Sequence, residues 1–181
     1  MIQHLCVVEN PGETVLGFFD ECSPQTTANT QRLWSFGKPR KKKNTTKIRV
    51  NTFGFYSLNG QSVVDFKQDS KKESVCEFLS LIQENNAEKE IVLILDNFRS
   101  HWAKKTRKHA KNLGIRLVFL PPYSPDLNPI EYIWKSIKRV LSPLLIESSD
   151  HLKTIVKEVF EKLSRKLSFA KGWIRKFNIN L

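Results

Sequence analysis

The stretch EIVLILD, Glu90 to Asp96, sets five consecutive aliphatic residues between two acids. A strand that is apolar on both faces must be covered on both, as at the centre of an α/β sheet. Its closing acid leaves the sheet at the carboxyl edge, facing a crevice. Downstream, Ser100 to Leu113 reads as a helix ending at Gly114, and Ile115 to Leu120 (IRLVFL) as the next strand. Strand, helix, strand implies a right-handed parallel crossover. Upstream, Val75, Phe78, Leu79 and Ile82 give Ser70 to Asn86 an amphipathic helical period. Thr14 to Asp20 (TVLGFFD) is a short apolar strand ending in an acid. Lys47 to Ser57 and Ser62 to Lys67 form a hairpin around Asn59-Gly60, so the first three strands make a meander.

Residues 21 to 47 read as loop with one short strand around Arg32 to Phe36. Pro121 to Asn128 (PPYSPDLN) is a stiff connection. It leads into a helix over Pro129 to Leu141 whose apolar face is Ile130, Ile133, Trp134, Ile137 and Leu141, with Asn128 as the expected cap. Residues 150 to 168 give one more helix, while the pattern assigns nothing to 171–181. The fold class is α/β, with a mixed five-stranded sheet flanked by helices. Residues 1–145 are expected to form the main domain and 146–181 a helical extension packed on it.

Lys and Arg number 30 against 18 Asp and Glu, a net charge of +12 with pI near 9.7. Such a balance favours a polyanionic partner, and nucleic acid over a membrane, since no run approaches the roughly 20 apolar residues of a spanning helix. Cys6, Cys22 and Cys76 have no CxxC pairing and read as reduced thiols without a zinc site. Residues 1–12 lack a secretory pattern, so a cytoplasmic, nucleoid-associated protein is expected.

Asp20 and Asp96 each close an apolar strand, and Glu131 opens a helix. Three hard oxygen donors from separate elements can hold a pair of divalent ions. Each acid also has a plain alternative. Either Asp can cap a turn, and Glu131 fits a capping box with Asn128 or an ion pair with Lys135. Glu21 is a decoy beside Asp20, because strand alternation turns it to the opposite face.

LILDNFRSH (Leu93 to His101) followed by FLPPYSPDLNPIEYIWKSIK (Phe119 to Lys138) resembles the second and third catalytic blocks of mariner-superfamily DDE transposases, closest to the bacterial and archaeal insertion-sequence branch. GFFDECSPQ (Gly17 to Gln25) with RLWSFGKPR (Arg32 to Arg40) is similar to the first block. Between Asp96 and Glu131 lie 34 residues, the spacing of the family's DD34E pattern. The resemblance implies an RNase H-like fold and a catalytic, metal-binding triad of Asp20, Asp96 and Glu131, with Glu131 rather than Asp126 as third ligand. It also implies two Mg²⁺ or Mn²⁺ ions, and transposon ends and target DNA at TA steps as substrates. Asn97 and His101 belong to the second block, as supports of the triad or as DNA contacts.

Two basic clusters follow directly on the acids. Lys38, Arg40, Lys41, Lys42 and Lys43 are expected to bind DNA, as are Arg99, Lys104 and Lys108. The resemblance implies helix-turn-helix modules ahead of the catalytic domain in full-length relatives, and with 19 residues before Asp20 none is expected within this sequence. A homodimer or a partner chain bearing those modules is therefore expected. The competing readings are a nuclease that does not join strands and a non-catalytic DNA-binding or inhibitory remnant.

Overall fold

In the computed structural model, residues 13–27, 36–38, 42 and 44–179 are described. Strand β1 (Thr14–Cys22) pairs antiparallel with β2 (Asn51–Ser57), and β2 with β3 (Val63–Lys67). On its other side β1 runs parallel to β4 (Glu90–Leu95), and β4 to β5 (Ile115–Phe119). The order β3-β2-β1-β4-β5 makes a mixed five-stranded sheet, as expected. The Asn59 side chain fastens the hairpin to β1 through Leu16 N–H at 2.9 Å and Thr14 C=O at 2.8 Å.

The two-residue period of the strands sorts the core into two layers. Leu16, Phe18, Tyr56, Val92 and Ile94 face α3 (Ile130–Leu141), α4 (Ser149–Ser164) and α5 (Lys171–Phe177). Val15, Phe19, Phe53, Ile91 and Leu93 face α1 (Lys72–Asn85) and α2 (Lys104–Asn112). Cys22 and Cys76 are buried free thiols.

Several boundaries differ from the sequence reading. Strand β1 does not stop at Asp20. Glu21 and Cys22 continue its pairing, opposite Phe53 and Thr52 of β2. Helix α2 begins at Lys104 rather than Ser100, because residues 98–103 are held in turns by His101 N–H to Phe98 C=O and Thr106 Oγ1 to Ser100 C=O. Gly114 follows that helix at φ +70°, a conformation glycine tolerates.

Asn128 does not cap α3 with its side chain. The helix starts after Pro129, the Glu131 N–H bonds the Asn128 main-chain carbonyl, and Asn128 Oδ1 is buried without a hydrogen-bond partner among the described residues. Helix α4 ends at Ser164. The tail beyond it forms a 3₁₀ turn (Leu167–Phe169) and α5, whose Trp173 packs edge-on against Phe18 at 4.9 Å. The Tyr56 hydroxyl donates to the Lys166 carbonyl at 2.7 Å, joining this segment to β2. Residues 31–35, most of the expected short strand, lie outside the described residues.

Gly54 of β2 pairs with Asp20 of β1, and helix α3 rests on it. A Cβ there would stand 2.6 Å from the Trp134 ring and 3.0 Å from Phe160. Overpacking of this kind costs about 1–3 kcal/mol. Gly54→Ala should therefore lower the thermal midpoint by several degrees, at roughly 2–4 °C per kcal/mol for a chain of this size. An unchanged melting curve would contradict the close approach of α3.

Candidate active site

The parallel register of β1 and β4 aligns Thr14 with Glu90 and Phe18 with Ile94. Carried two residues on, it sets Asp20 beside Asp96, on chains about 4.8 Å apart. Strand β4 has ended at Leu95, so Asp96 stands free of the sheet at its carboxyl edge. The turn Pro125–Leu127 then delivers Glu131 in the first turn of α3. Asp20, Asp96 and Glu131 line one pocket of about 410 Å³, together with Asn97, Tyr123 and Asn128.

The three carboxylates stand in different surroundings. Asp20 is 9% exposed, and its Oδ2 accepts the Trp134 indole N–H at 3.0 Å. Burial, then the charges of Glu131, Asp96 and Glu21, holds its carboxyl well above the ordinary range. Glu131 is exposed, and partial withdrawal from water raises it, with Asp96 adding to the shift against Lys138. Asp96 goes the other way. Burial pushes it up, but hydrogen bonds from His101 at 2.8 Å and from Phe98 N–H at 2.9 Å outweigh that and lower it.

His101 is fully buried between two acids: its Nδ1 meets Asp96 Oδ1, and its Nε2 lies 3.4 Å from Glu21 Oε1. Burial disfavours the imidazolium, yet the two carboxylates raise its pKa to about 9, so it is charged at neutral pH. The Phe19 ring packs on it at 5.0 Å. Glu21 thus points to the face opposite Asp20, as alternation demands, but it is no idle decoy.

The acids reach one pocket without forming a closed cluster. Among the described residues, no group of three or more His, Cys, Asp or Glu side chains is close enough to hold a metal ion as it stands. Hydrogen bonds to the protein draw Asp20 Oδ2 toward Trp134 and Asp96 Oδ1 toward His101.

The expected DNA contacts divide. His101 has no exposed surface and lies against Asp96 and Glu21. Asn97 is half-buried and committed at both ends: its amide N–H₂ donates to the Leu120 carbonyl and its Oδ1 accepts the Trp102 indole at 2.9 Å. It joins the ends of β4 and β5 and lines the acid pocket. Lys38, Lys42, Arg99, Lys104 and Lys108 are exposed. Arg40, Lys41 and Lys43 lie outside the described residues. Sequence reasoning missed Trp134 as a partner of Asp20. Two signals for it existed, its place three residues after Glu131 and a glycine inside the strand facing Asp20.

A search by sequence among curated proteins returns no match. Among solved structures, the Mos1 paired-end complex with Mn superposes with a TM-score of 0.63 at 16% identity, over 91% of this chain and 57% of that one. The Mos1 strand transfer complex gives 0.60 at 16% identity, over 86% and 51%. The Mos1 catalytic domain with raltegravir and Mg gives 0.57 at 15% identity, over 96% and 88%. The chain spans about half the length of the Mos1 chains in the DNA complexes and nearly all of the catalytic domain, and the fold it shares with them is RNase H-like. The model of the DDE superfamily endonucleases matches residues 15–153, and the chain belongs to that family.

Proposed function

We propose that this chain is the catalytic domain of a DNA transposase, of the bacterial or archaeal insertion-sequence branch, that cuts and joins strands at a divalent-metal site held by Asp20, Asp96 and Glu131. The observation that carries the reading is the lining of one pocket by three carboxylates from β1, from the end of β4 and from α3. Family membership supports a nuclease of the transposase class. Structures of Mos1 with Mg, with Mn and with paired transposon ends support the metal and DNA assignments.

The residues fit such an ion. The donors are hard oxygens, as Mg²⁺ and Mn²⁺ require. The mutual repulsion that raises Asp20 is what a bound cation would relieve. Asp96 lines the pocket while its Oδ1 is held by His101 and Phe98. Two bound ions would supply Lewis-acid stabilisation of the phosphate and a nucleophile at neutral pH, first water and then a 3′ hydroxyl.

The protein's own part is positioning. Trp134 fixes Asp20 and, through α3, the start of the helix that bears Glu131. The prolines of Pro121–Pro125 restrict the pocket wall, where Tyr123 sits fully exposed at φ +56°. Lys38, Lys42, Arg99, Lys104 and Lys108, with Arg40, Lys41 and Lys43, would hold phosphates of transposon ends and of target DNA at TA steps. End recognition is assigned to helix-turn-helix modules, in a homodimer or on a partner chain. Residues 1–145 are the catalytic unit, with 146–181 packed on it. No helix among the described residues is long and apolar enough to cross a membrane, and the work is assigned to the cytoplasm at the nucleoid.

Asp96→Asn and Glu131→Gln change shape little but remove a charged ligand. Both variants should stay folded and bind DNA, yet lose Mg²⁺-dependent cleavage by at least about 100-fold. Asp126→Asn, on the adjacent turn but outside the acid pocket, should keep most activity. The assay is nicking of transposon-end DNA with end-binding modules supplied. Full cleavage by Asp96→Asn would refute the assignment.

A further inference from the structure

We propose that Glu21 is a positioning residue for Asp96, acting across the sheet edge through the His101 imidazole; the inference rests on the reading of Asp96 as a metal ligand. Asp96 Oδ1 receives the Phe98 N–H and His101 Nδ1, which sets the orientation of a carboxylate that lines the pocket. The ring that does this is itself held at its far nitrogen. His101 Nε2 and Glu21 Oε1 are both buried, and neither makes a hydrogen bond among the described residues. They face each other at 3.4 Å. Rings of Phe19 and Phe98, at 5.0 and 5.8 Å, close the remaining sides.

An imidazole hydrogen-bonded to Asp96 at Nδ1 and facing Glu21 Oε1 across 3.4 Å at Nε2 cannot turn without losing one contact, so it works as a rigid spacer between the two carboxylates. Alternation along β1 makes this possible: Asp20 faces the pocket, and its neighbour Glu21 faces the spacer. Two successive residues of one strand thereby serve two of the three acids.

The role assigned to Glu21 is that of an acceptor at a set reach, not of a negative charge, and two variants separate these. Glu21→Gln keeps the reach and loses the charge; Glu21→Asp keeps the charge and withdraws the acceptor by one methylene. In metal-free protein labelled with ¹⁵N-histidine, the His101 Nε2–H should stay protected from solvent exchange in Glu21→Gln and lose that protection in Glu21→Asp. Mn²⁺ affinity, followed by electron paramagnetic resonance, should stay near that of the unaltered chain in Glu21→Gln and fall about 10- to 100-fold in Glu21→Asp. A loss in both variants, in neither, or in Glu21→Gln alone would overturn the proposal. Asp96→Asn is the reference. If it leaves Mn²⁺ affinity unchanged, the metal assignment itself fails, and the ring N–H comparison still decides whether Glu21 holds His101.

Discussion

One buried hydrogen bond, from the Trp134 indole to Asp20, fixes how helix α3 sits on the sheet. It joins residues 114 positions apart and exists only because Gly54 leaves room for the indole beside β2. A buried hydrogen bond of this kind is worth about 0.5–1.5 kcal/mol net, and a buried carboxyl left without it would carry a penalty of about 1–3 kcal/mol. Its larger consequence is geometric. Glu131 lies one helical turn before Trp134, so anchoring the indole also sets where Glu131 leaves α3. Phe160 of α4 packs on the same ring at 5.3 Å, which carries the constraint into the C-terminal helices.

The site is electrostatically tense. Asp20, Glu21, Asp96 and Glu131 approach one another inside a protein that is otherwise strongly basic. Two of these acids flank one imidazole, which lowers the cost of holding Asp96 ionised, while Asp20 meets neutral donors, the Trp134 indole and the Glu21 main chain, and remains hard to ionise. The remaining repulsion falls on Asp20 and Glu131, where a cation would act most strongly. Fold and charge thus prepare the same pocket, one by placing the acids and the other by leaving them undercompensated.

Much of this was legible in the chain. EIVLILD read as a central strand because nothing else accommodates five aliphatic residues between acids in an α/β pattern, and Asp96 stands where that reading put it. The three acids were visible by type and spacing. The groups that hold them were not, since Trp134 looked like one more apolar residue of α3 and Glu21 like a spare acid. Their partners lie on other elements, and local pattern carries no trace of such contacts. The same blindness explains the boundary errors. Asp20 was read as the end of β1 because the pairing of Glu21 and Cys22 with β2 is a long-range matter. The cap assigned to Asn128 failed because a main-chain carbonyl took the bond instead. Helix α5 has seven residues, too few for a period to emerge, and is placed by the burial of Trp173.

Anomalous diffraction from crystals of the unaltered chain soaked in Mn²⁺ tests most directly whether the acid pocket is a metal site. Anomalous density bounded by Asp20, Asp96 and Glu131, with Asp96 Oδ1 still on His101 and its other oxygen turned to the ion, is the predicted result. Mn²⁺ density elsewhere on the surface with none in this pocket, at a concentration that saturates binding in solution, would contradict it.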